Sequence, residues 1–354
     1  MWRTLFIRFR RGRLWALKAN MLKVVLRQCR VVSRGVVDGR VELDLLDGPL
    51  AGETHPGVVY PELGDIPTPG ETVLANTVGI EMGLGTGGLA FVLPTAGGES
   101  PTNNDHFMKL PYTPLQFPVS QSQQATTLED VPVVVLPLHS HLAPACCAVA
   151  ELRPGARVAL VWQEGGALPV GVSRICQELK ELGLLHAVVS CGSCFGGDLE
   201  SANVYSGLLT AAAVADVVLV GIGPGVVGTS TSHAHGGMSA AISANASVSL
   251  GAEPVFAPRV SNADARARHQ GISHHTLAAL EATLVGCRIA LPNGIEQPSG
   301  VSSRHSFIPM DRDARGLEER FGVVFRSMGR LYNEDPVFFD AAAAAVALCL
   351  EERA

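Results

Sequence analysis

From residue 131 onward the sequence alternates short, unbroken apolar runs with longer stretches of helical character, and this rhythm restricts the fold more than any other feature. The runs span 131–137, 157–161, 187–190, 216–222, 254–257 and 288–291. The stretches at 142–152, 169–183, 198–214, 235–250 and 273–284 read as helices between them. A strand that is apolar at every position is covered on both faces, and strands alternating with helices build βαβ units. Residues 131–352 are therefore expected to form a mainly parallel, doubly wound, Rossmann-like α/β domain, closed by an Ala-rich helix at about 337–352. Right-handed crossovers would gather the strand-to-helix loops on one edge of that sheet, where ligands bind in such folds.

The preceding sequence has a different period. Residues 22–94 carry short β-branched runs, strict apolar/polar alternation in Val41-Glu-Leu-Asp-Leu, and the hairpin signal Asp38-Gly39. No long segment there has helical spacing, so a small β barrel or sandwich is expected. Residues 95–130, with Gly97-Gly98, Asn103-Asn104 and several prolines, read as a connector.

Composition excludes several function classes. The 354 residues are 47% hydrophobic and 17% charged, which excludes extensive disorder. The longest lipid-like stretch, 341–350, lies between Asp340 and Glu351 and is too short to span a bilayer. Residues 1–20 hold Arg3, Arg8, Arg10, Arg11, Arg13 and Lys18 and no acid. They read as a non-essential basic extension, with a membrane-surface segment as the competing reading. Without them the net charge of −6 becomes −12, so nucleic acid is not an expected partner. Eight cysteines in so long a chain are not a disulfide scaffold, and without a secretory signal the expected setting is the reducing cytoplasm. Homo-oligomerisation stays open.

The most specific motif is Gly221-Ile-Gly223-Pro-Gly225-Val-Val-Gly228-Thr229-Ser230-Thr231, directly after a strand. Gly223, Gly225 and Gly228 match G-x-G-x-x-G. Backbone N–H groups of such a loop, beside a helix N-terminus and three hydroxyls, suit a phosphate or carboxylate. No acid ends the next strand to hold a ribose, and Thr229 stands where a P-loop needs lysine, so no particular cofactor is assigned. A tight turn needing positive φ is the competing reading.

Seven of the 11 histidines fall in the expected loops: His139, His141, His233, His235, His269, His274 and His275. His139 and His141 are assigned to ligand binding, and His274 and His269 to acid–base chemistry with Asp264 as orienter or base. No H-E-x-x-H or comparable spacing exists, so no metal ligand is assigned. Cys191-Gly-Ser-Cys194 has redox spacing but follows the third strand, and two small residues at a turn explain it better. Asp198 and Glu200 read as capping acids of the helix that follows.

The stretches Met108-Lys-Leu-Pro-Tyr-Thr-Pro-Leu-Gln, His139-Ser-His-Leu-Ala-Pro, Phe195-Gly-Gly-Asp-Leu-Glu, Gly223-Pro-Gly-Val-Val-Gly-Thr and Ser273-His-His-Thr together resemble a bacterial family called Domain of Unknown Function 3866. The resemblance spans about 22–350 and implies one family over both parts of the chain, without implying an activity. The expected function is binding of a small anionic or phosphorylated ligand at loop 221–231, with His/Asp acid–base catalysis a further step. A non-catalytic ligand-binding or scaffold protein and a metal-dependent hydrolase are the alternatives.

Overall fold

The computed structural model describes residues 4–8, 14–18, 24–35, 39–83, 88–95, 105–120, 122–229 and 231–351, with backbone alone for 4–8, 14–18, 105 and 106. The chain divides into two compact units, Met1–Gly98 and Glu99–Ala354.

The first unit contains a closed five-stranded barrel of Arg27–Arg34, Arg40–Leu45, Thr54–Val58, Ala90–Val92 and Thr72–Asn76, in that order around the wall. Alternation sets its interior: Cys29, Val31, Val41, Leu43, Leu45, Val73 and Ala75 are buried while their neighbours face outward. Closure leaves no unpaired edge. The expected run at residue 22 differs, since 24–26 are irregular and the strand begins at Arg27. Gly39 takes φ +78° at the first turn, while Asp38 lies outside the described residues. Within the basic extension, the backbones of Thr4–Arg8 and Leu14–Lys18 pair antiparallel.

The second unit is built on one eight-stranded sheet, whose strands we number β1 (Val133–Leu136), β2 (Val158–Gln163), β3 (Ala187–Cys191), β4 (Leu199–Ser201), β5 (Val217–Ile222), β6 (Val255–Phe256), β7 (Arg288–Pro292) and β8 (Ser306–Met310). Every pairing is parallel, and the order is β4-β3-β2-β5-β1-β6-β7-β8. The order departs from the Rossmann sequence 3-2-1-4-5-6, because β5 sits between β2 and β1. Side chains leave the sheet alternately. Val134, Leu136, Leu160 and Leu219 pack beneath α1 (Leu142–Leu152), α2 (Arg174–Glu181) and the last helix. Val133, Val135, Val161 and Val220 pack beneath α3 (Val204–Val214), α4 (Ser239–Ser249) and α5 (His274–Ala282). Beyond α6 (Leu317–Phe321), the long α7 (Pro336–Glu351) opens on a proline that suits the first helical position, and its alanines 341–345 are completely buried. Among the described residues no helix is long and apolar enough to cross a membrane.

The stretch read as a connector holds structure of its own. Asp105–Lys109 and Phe117–Ser120 pair antiparallel. The Lys109 ammonium is buried, donating to the carbonyls of Ser190 (3.1 Å), Gly192 (3.1 Å), Cys194 (2.8 Å) and Ser201 (2.9 Å), and pairing with Glu200 Oε2 at 3.0 Å. Glu200 also accepts from Ser190 Oγ and from the N–H groups of Gly196 and Gly197. Asp198 accepts from the Val188 N–H and Lys180. These acids therefore cap no helix. The helix begins only at Val204, where Asn203 supplies the cap, because 199–201 adds an edge strand to the sheet.

Candidate functional site

In a parallel sheet the point where strand order reverses leaves a crevice at the carboxyl ends of the strands. Here the chain leaves β1 toward β2 and later crosses from β5 over β1 to β6. The loops after β1, β5 and β6 meet there around a cleft of about 330 Å³, lined by Leu138, His139, Val226, Gly228, Thr229, His235, Arg259, Arg266, Arg268, His269 and His275, with Ser327 and Met328 opposite. No carboxylate is among the described lining residues.

One buried acid organises the arginines from behind. Asp264 is 2% exposed and accepts from Arg266 Nε (2.9 Å) and Nη2 (2.8 Å), with Arg259 Nη2 at 3.4 Å and Arg330 Nη2 at 3.8 Å. Its hydrogen bonds with Arg266 hold its carboxyl well below the usual carboxylate range. Arg259 is itself buried, and burial pulls its guanidinium down to about 10. Arg268 is exposed and makes no ion pair among the described residues.

The histidines form a packed group. His235 stacks on His275 with centroids 3.8 Å apart, His274 lies 4.3 Å from His275, and His269 lies 4.9 Å from both His274 and His275. Burial depresses all four; His269 falls to about 3 and His275 to about 2, assisted at His269 by Arg259 and at His275 by His235. Neutral rings can pack this closely, whereas imidazolium rings would repel. Arg259 Nη1 donates to His275 Nδ1 (3.2 Å), which makes that nitrogen an acceptor. His269 Nδ1 bonds to Ser273 Oγ (2.7 Å).

The residues singled out from sequence divide between lining and support. His139, Gly228, Thr229 and His269 line the cleft. His139 is fixed by Ser173 Oγ (2.7 Å) and lies edge-on to Trp162, its ring held neutral by burial. His141 instead is completely buried against Phe338 of α7. Asp264 engages arginines rather than the imidazole of His269 or His274, so the expected orienting bond is replaced by the one from Ser273. Gly223 and Gly225 do not line the cleft: a side chain at Gly223 would strike the Trp162 ring, and Gly225 takes φ +76°. Nor does a helix N-terminus face the glycine loop. Thr229 N–H bonds back to the Ala234 carbonyl and Gly236 N–H to Val227, so 227–229 and 234–236 pair as the two arms of a hairpin and α4 starts only at Ser239. The sequence Thr-Ser-Thr-Ser-His-Ala-His-Gly-Gly has poor helix propensity, which explains the delay. Thr231 is exposed, with its hydroxyl 3.0 Å from that of Thr229, and Ser230 lies outside the described residues.

Arg259 went unmarked in the sequence because Pro258-Arg259-Val260 matches no motif; the one available signal was its place just after a buried strand. His275 and His235 were visible as loop histidines, but their contact depends on α5 and the hairpin before α4 meeting.

The sequence profile of a family described as "Protein of unknown function (DUF3866)" matches residues 57–346. The chain belongs to the DUF3866 family. The match starts in the third barrel strand and runs into α7, so the whole cleft of this DUF3866 protein lies within it. Two other stretches of the sequence pattern also meet in space, since Lys109 of Met108-Lys-Leu-Pro pairs with Glu200 of Phe195-Gly-Gly-Asp-Leu-Glu. A comparison with curated proteins finds no match.

Proposed function

We propose that this protein binds a small anionic ligand, phosphate- or carboxylate-bearing, in the cleft at the carboxyl ends of β1, β5 and β6. One observation carries the reading: among the described residues three arginines and four histidines line the cleft and no acid does. Planar guanidinium groups hold carboxylate and phosphate oxygens through paired N–H donors, and Asp264 behind them fixes two of the three in place. The glycine loop contributes through Gly228 and Thr229 rather than as a phosphate cradle on a helix. Position at the switch point of a parallel sheet supports the same site. Eight free cysteines, all buried, support a cytoplasmic setting, and the negative body supports a small ligand over nucleic acid.

The test is calorimetric titration with inorganic phosphate, pyrophosphate and a panel of nucleotides and sugar phosphates. At least one should bind, and Arg268→Ala should weaken it about tenfold, the loss of one charge-assisted contact of about 1.4 kcal/mol. Arg268 makes no ion pair among the described residues, so its replacement should leave stability unchanged. Wild-type affinity in both the Arg268→Ala and the Arg266→Ala variant would overturn the assignment of the cleft.

A further inference from the structure

We propose that His235, His274 and His275 form a three-histidine site for a first-row divalent metal ion such as zinc. The site lies on the wall of the cleft and needs no anion to be bound. Each of the three residues offers one ring nitrogen, and these atoms lie within 4.8 Å of one another. A tetrahedral ion about 2.0–2.1 Å from each nitrogen holds its ligands about 3.4 Å apart, so the rings need draw together by at most about 1.4 Å. The spacing escaped the sequence pattern because His235 comes from the hairpin before α4 while His274 and His275 open α5.

A second, independent observation concerns the nitrogens themselves. His235 is 7% exposed, yet neither of its ring nitrogens makes a hydrogen bond of regular geometry, and Nε2 of His274 is likewise buried without a partner. Buried polar atoms are nearly always satisfied. Two of the three rings thus bring a buried, unpartnered nitrogen to the group, and the third, His275, brings a nitrogen held by Arg259. Burial keeps the rings neutral, which is the form that coordinates metal.

Arg259 is the element that metal binding must move. Because Nη1 donates to His275 Nδ1, the remaining ring hydrogen of His275 sits on Nε2. Coordination by either nitrogen of His275 therefore requires Arg259 to give up that bond while keeping Asp264. Asp264, at the centre of the arginines, also offsets the positive charge that an arriving cation would meet.

The experiment uses the full chain stripped with chelator and titrated with zinc chloride alone in a non-coordinating buffer, with cobalt(II) as the spectroscopic probe. One equivalent of zinc should bind, and cobalt should give the visible bands of a four-coordinate nitrogen-rich site. His235→Ala and His274→Ala should each weaken zinc at least 100-fold with the metal-free circular dichroism unchanged. His139→Asn, in the same cleft but bonded to Ser173, should bind as wild type does. Absence of zinc uptake by wild type would overturn the proposal, as would equal losses in all three variants. If His274→Ala does not fold, the wild-type cobalt spectrum decides: bands of an all-oxygen six-coordinate ion overturn the site. Because no anion is present, failure here leaves the arginine reading standing, and failure of anion binding leaves this one standing.

Discussion

Lys109→Met tests the energetic account of the second unit directly. The ammonium is 1% exposed and is surrounded by four main-chain carbonyls and the Glu200 carboxylate. Methionine has nearly the same length and volume, so cavity formation contributes little. What changes is that carbonyls of the β3–β4 edge and a mostly buried carboxylate lose their cation. Removing one partner of a buried ion pair costs about 3–5 kcal/mol, because the other charge is left uncompensated. Glu200 keeps Ser190 Oγ and two glycine N–H donors, which places the expectation toward the lower end. At about 2–4 °C per kcal/mol for a domain of this size, the melting temperature should fall by roughly 6–15 °C. Urea unfolding followed by circular dichroism should show a lower midpoint at unchanged slope. Adding Glu200→Gln should recover part of the loss, since the stranded charge goes with it. A Lys109→Met protein within about 0.5 kcal/mol of wild type would refute the reasoning, because five short contacts around one buried ammonium cannot be energetically idle.

Other consequences are open to simpler measurements. Gly223→Ala should destabilise by about 1–3 kcal/mol in thermal unfolding, since the new methyl meets the Trp162 ring and the Ala167 carbonyl. All eight thiols should be inert to Ellman's reagent at pH 8 in the native protein and react on denaturation, because all eight are buried and burial raises the pKa of Cys191 and pushes Cys194 up to about 12; fast reaction at Cys191 or Cys194 would revive the redox reading. In the first unit, hydrogen bonds from Arg27 and Thr77 hold Glu81, at the end of the short helix Val78–Glu81, down to about 2 from 4.5. Its stabilising contribution is complete above pH 4.5 and lost as pH falls toward 2. Wild type and Glu81→Gln should therefore differ in unfolding midpoint at pH 6 and converge near pH 2.

Much of the fold was legible because the central strands of the second unit are apolar at every position, and β1, β2, β3 and β5 fall within a residue or two of the expected runs. The edges were harder. Leu199-Glu200-Ser201 and Ser306–Met310 lie at the two ends of the sheet, where neighbours cover them less and polar residues are tolerated. The convergence of the loops on the carboxyl edge followed from topology, and His139, Gly228, Thr229 and His269 line one cleft there. Arg259 and the three-ring contact depend on how a hairpin and α5 pack, which no local pattern encodes. Asp264, expected as orienter or base beside a histidine, has Arg259 and Arg266 as its partners, a pairing that depends on the tertiary fold.

The insertion of β5 between β2 and β1 also sets an order of assembly. Val133 pairs with Val218, and Val158 with Val217, so the two strands nearest in sequence cannot join until a strand far downstream arrives between them. Closing such long loops delays productive pairing and slows folding. A nascent chain that ends before residue 217 holds β1 and β2 as open edges, the form most exposed to aggregation. The cleft, which also needs residues 259–275, is thus among the last features the chain can complete. Affinity for the proposed anion should accordingly report whole-domain folding, and partly folded species should not bind it.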